Sequence, residues 1–303
     1  MADIALPVDV AETGERTTGA LPRARRNWDW LGLVPFFAFL VLFLIVPAFS
    51  VFRNALRTDD GYSFEAMKEA MSGQNAEAFW FTIKFSSIAA AVGVVLGALL
   101  AYAAATATRP RWLRNLVSSF SGVAANMGGI PLAFAFITLL GRQGLMTKII
   151  NESFNTDIWA DGFSLGSTTG LIVVYCYFNI PLMVLITLPA IDGIKMSWRE
   201  ACANLGGTTL TFWRRVGLPV LAPSLMGGFL LLFANSFSAY ATAAALTDNS
   251  EIISRRIGFF LGGDMNIGED AVGFALAAWM IVITAITMAL YWFARRRAER
   301  WQR

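Results

Sequence analysis

The chain has 303 residues, of which 56% are hydrophobic and only 15% charged, with no histidine and a formal net charge of +3. That apolar share exceeds the usual range of a soluble domain of this size. Two cysteines without a histidine leave a zinc site, a haem ligand set and a Ser/His/Asp triad short of parts, and no GxxxxGK[ST] phosphate loop occurs. The composition describes a polytopic membrane protein with no catalytic group set of its own, so any energy it uses comes from elsewhere.

Residues 1–29 mix charges with Ala, Thr and Pro and close on Arg23, Arg25 and Arg26, the pattern of a disordered tail with a basic end. The apolar run 31–52 is longer than the h-region of a cleaved leader and is expected as a retained first span, within a segment 30–53. A core of five further spans is expected over 76–294, at 80–105, 116–140, 167–189, 218–246 and 271–293, each near the ~20 apolar residues that cross a bilayer. The expected fold is therefore all-α with six transmembrane helices. Gly128, Gly129 and Pro131 are expected to kink the third span.

Orientation follows from the basic residues, which are held on the cytoplasmic side in short flanking segments. The N-terminal tail, 109–114, the loop 189–217 and the basic tail 295–303 together carry 16, while the loops 53–79, 141–166 and 247–270 carry 7, with Lys84 left inside the second span. Both termini are expected in the cytoplasm. Acidic residues run the other way, 13 of 21 lying in the three outer loops.

Several features within the spans bear on packing and transport. Gly93 and Gly97 form a small-xxx-small pattern, read here as close packing within the subunit. Tyr175, Tyr177 and Asn179 on the fourth span and Asn235, Ser236, Ser238 and Tyr240 on the fifth are polar at membrane depth, where unpartnered burial is costly. Tyr175, Asn179, Asn235 and Ser238 are candidates either for a polar translocation path or for interhelical hydrogen bonds. Lys84 has the position of a side chain that snorkels to the interface, and the run Arg295-Arg296-Arg297 that of a lipid-headgroup anchor, too short for nucleic-acid binding. Arg255 and Arg256 fall in an otherwise acidic outer loop, as an interfacial helix or a contact for an external partner.

The loop 189–217 is polar and carries helix signals. Ser197-Trp198-Arg199-Glu200 has the form of a capping box, predicting a short helix from about Trp198. Ala201, Cys202 and Ala203 keep it thin, and Gly206-Gly207 ends it, with the left-handed conformation falling on glycine. Thr208 is placed to cap a second short helix carrying Leu210, Phe212, Trp213 and Val216, and Pro219 to begin the fifth span.

Glu200 followed by small residues, Gly206 six positions on, and Leu218-Pro219 with the proline thirteen beyond that glycine resemble the EAA loop of binding-protein-dependent ABC importer permeases. The matching positions are Glu200, Ala201, Leu205, Gly206, Arg215, Leu218, Pro219 and Pro223; Cys202 and Gly207 stand where alanine is common, and both keep the side chain small. The resemblance runs from about residue 78 to 293. It implies a type I ABC importer permease fold in a bacterial inner membrane, with Glu200, Ala201, Leu205, Gly206, Arg215 and Pro219 in a coupling segment that docks on a cytoplasmic ATPase. It further implies ATP and Mg in that ATPase dimer and none in this chain, a second permease subunit, an extracytoplasmic binding protein and surrounding lipid. The segments GIPLAF and FANSFSAYATAAALT look most like permeases of the spermidine/putrescine type. A self-sufficient secondary carrier is the rival class; it would normally show an intramembrane acid or a broken-helix ion site.

Overall fold

The computed structural model describes residues 32–58, 61–107, 112–154, 159–160, 163–247, 251–262 and 267–299. The expected disordered tail 1–29, Arg109 and the last basic residues lie outside them. The chain divides into two units, Met1–Pro47 and Ala48–Arg303. The described part of the first is apolar helix, the start of α1 (Val34–Leu56), with one widened π-helical turn at Val41–Ile45.

In the second unit α1 closes on a two-residue antiparallel ladder, β1 (Arg57–Thr58) with β2 (Gly61–Tyr62), which is the whole of the strand content among the described residues. The short helix α2 (Glu65–Glu69) follows, and then α3 (Gly73–Thr106), an unbroken helix of 34 residues. At 1.5 Å per residue α3 is about 51 Å long, more than the hydrocarbon core requires.

The next crossing is made of two helices, α4 (Trp112–Asn126) and α5 (Gly129–Leu140), interrupted at Met127 and Gly128. Gly129 has φ +73°, a conformation that side chains disfavour, so the expected kink is a full break. Pro131 lies in the first turn of α5, where no intrahelical donor is lost. By composition alone the apolar window is Gly129–Ser153, but that stretch includes the turn around Gly141 and the charges Arg142, Lys148 and Glu152. The packing assigns the crossing to α4 with α5. Val117 packs beside Leu188 near one end of α7 (Thr168–Asp192), and Leu132 packs beside Leu171 near its other end. The connecting helix α6 (Leu145–Phe154) is tied back by the Thr147 hydroxyl donating to the Gly141 carbonyl at 2.9 Å.

After α7 come α8 (Met196–Asn204) and α9 (Thr209–Ser238), then a break at Ala239 and Tyr240, α10 (Ala241–Leu246), α11 (Ile253–Gly262) and α12 (Ile267–Glu299). Among the described residues six helical stretches are long and apolar enough to cross a membrane. Two expectations for the fifth span need correction. It stops eight residues short of 246, and it begins at Thr209, because the second short helix does not end before Pro219. Pro219 has no N–H for the Arg215 carbonyl, and its ring would crowd that carbonyl in an α-helix. A π-helical turn at Trp213–Gly217, in which the Leu218 N–H reaches the Trp213 carbonyl, carries the helix past the proline.

The core is a seam of α3 and α7, with α9 packed on both and α12 on α9. Glycine makes the seam possible: a Cβ on Gly97 would meet Met183 Cβ at 2.5 Å and the Ile180 carbonyl at 2.7 Å, and one on Gly93 would meet Asn179 Cβ at 2.8 Å. The small-xxx-small pattern is thus an internal contact, as expected, with α7 as its partner. Met183 also fills a notch in α9, its sulfur 2.5 Å from where a Gly228 Cβ would lie. Outside the seam, the Trp279 indole of α12 donates to the Met67 carbonyl of α2 at 3.0 Å.

Candidate functional site

The polar loop begins where α7 ends, and Asp192 there is ion-paired with Arg114 of α4. Helix α8 then starts at Met196 with Lys195 as its extended first cap and no side chain capping it. The predicted capping box does not form. The Trp198 N–H already donates to the Lys195 carbonyl at 3.1 Å, so Ser197 is inside the helix, where its hydroxyl cannot reach the free N–H groups of the first turn. Glu200 is therefore exposed, with no hydrogen bond or ion pair among the described residues, rather than folded back as a cap.

The C-terminus of α8 forms as expected. Gly206 has φ +75°; its N–H donates to the Ala203 carbonyl and the Gly207 N–H to the Cys202 carbonyl, both at 2.9 Å. This paired pattern satisfies two carbonyls of the last turn and requires a left-handed residue at 206. Gly207 is needed for another reason, which corrects the expectation that alanine suits it: a Cβ there would lie 2.5 Å from Cys202 Sγ and 2.8 Å from the Cys202 carbonyl oxygen. No atom lies within 4 Å of a Cβ built on Gly206, so at 206 conformation alone demands glycine.

Thr208 caps α9 as predicted, its hydroxyl accepting from the Thr211 N–H at 3.3 Å. Below it the α9 start is anchored on one side only. Phe212 is buried beneath the Arg199 guanidinium, 5.4 Å from ring to cation, and Trp213 meets Tyr102 of α3 edge to face at 5.0 Å. The other side is open: Leu210 is 77% exposed and Leu205 89%, and Arg215 and Pro219 are exposed. In α8 only Cys202 is partly covered, so Ala201 is exposed too. A rigid helix with thin sides and bare leucines at its end is a surface suited to a protein partner.

The four polar candidates at membrane depth divide into two pairs. Tyr175 and Asn179 are fully buried; the Tyr175 hydroxyl donates to the Ala239 carbonyl at 3.1 Å and the Asn179 amide to Ser236 Oγ at 3.0 Å. Both tie α7 to α9 and its break. Asn235 and Ser238 are exposed on α9, with the Ser238 hydroxyl turned back to the Ala234 carbonyl at 2.8 Å. Lys84 is also exposed and stands 5.1 Å over the Trp80 ring. Sequence reasoning passed over Thr242 and Ser254: the Thr242 hydroxyl accepts from the Gly129 N–H at 2.9 Å, and the Ser254 hydroxyl donates to the Ala239 carbonyl at 3.3 Å. Nothing local in the sequence marks either, because each serves a backbone group on a distant segment.

Residues 93–300 match the family described as "Binding-protein-dependent transport system inner membrane component". The chain belongs to this family. It is a multi-pass permease component of binding-protein-dependent ABC importers, in which the ATPase is a separate subunit. Among relatives, it is 24% identical over 271 residues to the molybdenum transport system permease protein ModB of Mycobacterium tuberculosis, covering 88% of this chain and 92% of that one. It is 21% identical over 273 residues to the spermidine/putrescine transport system permease protein PotB of Haemophilus influenzae, covering 87% and 93%. A chain of the bacterial alginate ABC transporter, solved in complex with an alginate pentasaccharide-bound periplasmic protein, matches the fold with a TM-score of 0.69 at 17% identity, covering 92% of this chain and 99% of that one.

Proposed function

We propose that this permease forms half of a translocation path and is driven through α8, which docks on a cytoplasmic ATPase dimer that binds ATP and Mg. The observation that carries this is the exposed α8, closed by the Gly206 turn, with Leu205 and Leu210 beside it left bare by the described residues. Glu200, Ala201 and Leu205 form the docking surface, Gly206 sets its angle, and Arg215 and Pro219 stand where the handle joins the span. The unpaired Glu200 carboxylate is available to a cationic group of the ATPase. When ATP closes the ATPase dimer, α8 moves as a rigid body and the spans exchange inward- and outward-facing arrangements. Reversing the populations of two such states takes ~5.5 kcal/mol, which nucleotide binding to a partner supplies.

The distribution of basic residues supports termini and α8 in the cytoplasm, and a second permease completes the path. Exposed Asn235 and Ser238 are the path-lining candidates that remain on the surface of the subunit. The spans as read from the sequence hold no carboxylate, which leaves substrate choice to an extracytoplasmic binding protein. A polyamine-like solute is the specific case that the third- and fifth-span segments support; relatives named for molybdenum and for spermidine/putrescine align over nearly the same length. The test is co-purification of the chain with its ATPase and uptake by the reconstituted complex, with ligand identification on the binding protein. Labelling of a cysteine at position 206 from outside intact cells would overturn the orientation.

A further inference from the structure

The two interrupted crossings meet at their interruptions. The α4/α5 break at Met127 and Gly128 and the α9/α10 break at Ala239 and Tyr240 are joined directly, the Gly129 N–H donating to Thr242 Oγ1 at 2.9 Å and the Thr242 hydroxyl lying 3.4 Å from the Gly129 carbonyl. Beyond the breaks α5 packs on α10, with Leu132 and Ala243 buried in one apolar cluster. On the near side, the Ala239 carbonyl is held from two directions, by the Tyr175 hydroxyl of α7 and the Ser254 hydroxyl of α11.

We infer that α5 and α10 form one rigid body that turns about an axis through the two breaks, with the Ala239 carbonyl as its fixed point. A continuous helix resists bending because each turn is bonded to the next, and an interruption removes that resistance at one place. One break makes a flexible elbow. Two breaks bonded to each other restrict the motion to rotation about the line that joins them, and hinge residues at element ends absorb the change in backbone angles. The Gly129–Thr242 bonds lie on that line, so they persist during the motion. Tyr175 and Ser254 hold the end of α9 still while α10 turns. The contacts exchanged are the apolar ones of Leu132 and Ala243 within the cluster shared with α3 and α7, and the bond that the Arg255 guanidinium of α11 donates to the Ala244 carbonyl of α10 at 2.9 Å. Tyr175 is then a positioning residue of the hinge, not a lining residue.

The inference rests on the reading of the chain as an ATP-driven permease, and the test separates the two. Nitroxide labels at Ile137 with Ala245, and at Ile137 with Val95 of α3, are read by pulsed dipolar spectroscopy in the complex with its ATPase, nucleotide-free and vanadate-trapped, after Cys176 and Cys202 are replaced by alanine. The expected result is an unchanged Ile137–Ala245 distance and a shifted Ile137–Val95 distance. Thr242→Val should broaden the first distribution and abolish uptake while nucleotide is still trapped, and Thr242→Ser should restore both. Trapped nucleotide with an unmoved Ile137–Val95 pair, or a changing Ile137–Ala245 pair, overturns the inference, as does a Thr242→Val protein that behaves as wild type. Absence of trapped nucleotide in the unsubstituted complex removes the coupling reading and this inference with it.

Discussion

Glycine serves the α3–α7 seam and the α8 turn in opposite ways. At Gly97 the backbone is ordinary helix and space is the constraint, whereas at Gly206 space is open and the backbone is the constraint. A substitution in the seam is therefore felt by the whole bundle, and one in the turn by the direction of a single short helix. The first kind of glycine holds the protein together; the second sets the direction of the exposed helix proposed to dock on a partner.

Gly97→Leu breaks that comparison most severely. Its Cβ would contact the Ile180 carbonyl as well as Met183, and a backbone carbonyl cannot step aside as a side-chain tip can. Overpacking typically costs ~1–3 kcal/mol, and here the two central helices must separate, so little folded protein should remain in detergent by size-exclusion profile. Recovery of a monodisperse protein with wild-type thermal stability would remove the seam argument.

Gly206→Val comes next. The left-handed conformation costs a side chain roughly 1–2 kcal/mol, borne locally, so the protein should insert and purify but lose uptake and substrate-stimulated ATP hydrolysis. Gly207→Ala should weaken coupling as well, because its Cβ meets the Cys202 carbonyl. Normal uptake by well-expressed Gly206→Val protein would sink the docking role of α8.

The polar pairs sharpen the contrast at a smaller scale. Asn179→Leu should lower the midpoint of thermal unfolding, since it breaks the tie to Ser236 and crowds Gly93. Asn235→Leu should leave the midpoint near wild type and reduce uptake, because Asn235 is exposed and proposed to line the path. Equal effects of the two on stability would contradict the division into ties and lining.

The smallest effects separate a cap from a docking group. Loss of a true cap costs about 0.5–2 kcal/mol, but Ser197 caps nothing here, so Ser197→Ala should leave stability and uptake unchanged. Glu200→Ala should also leave stability unchanged while weakening retention of the ATPase on an affinity column. A matched loss of stability in both variants would restore the capping box that α8 lacks.

The sequence by itself determined the class of solvent, the six apolar spans, the position of α8 and its Gly206 end, and the cap at Thr208. Each of these depends on run length or on bonds within a few residues. It also pointed to the close approach at Gly93 and Gly97 without naming α7 as the partner. Ser197-Trp198-Arg199-Glu200 misled because a capping pattern does not say which residue opens the first turn, and Pro219 misled because a π-helical turn can carry a helix past a proline. Only the tertiary structure decided that the third and fifth crossings break where they meet, that Tyr175 and Asn179 are ties while Asn235 stays exposed, and that Thr242 and Ser254 serve distant backbone groups. In lipid every freed backbone group needs a partner. A break is therefore permitted by the helix that faces it, and no local stretch of sequence contains that helix.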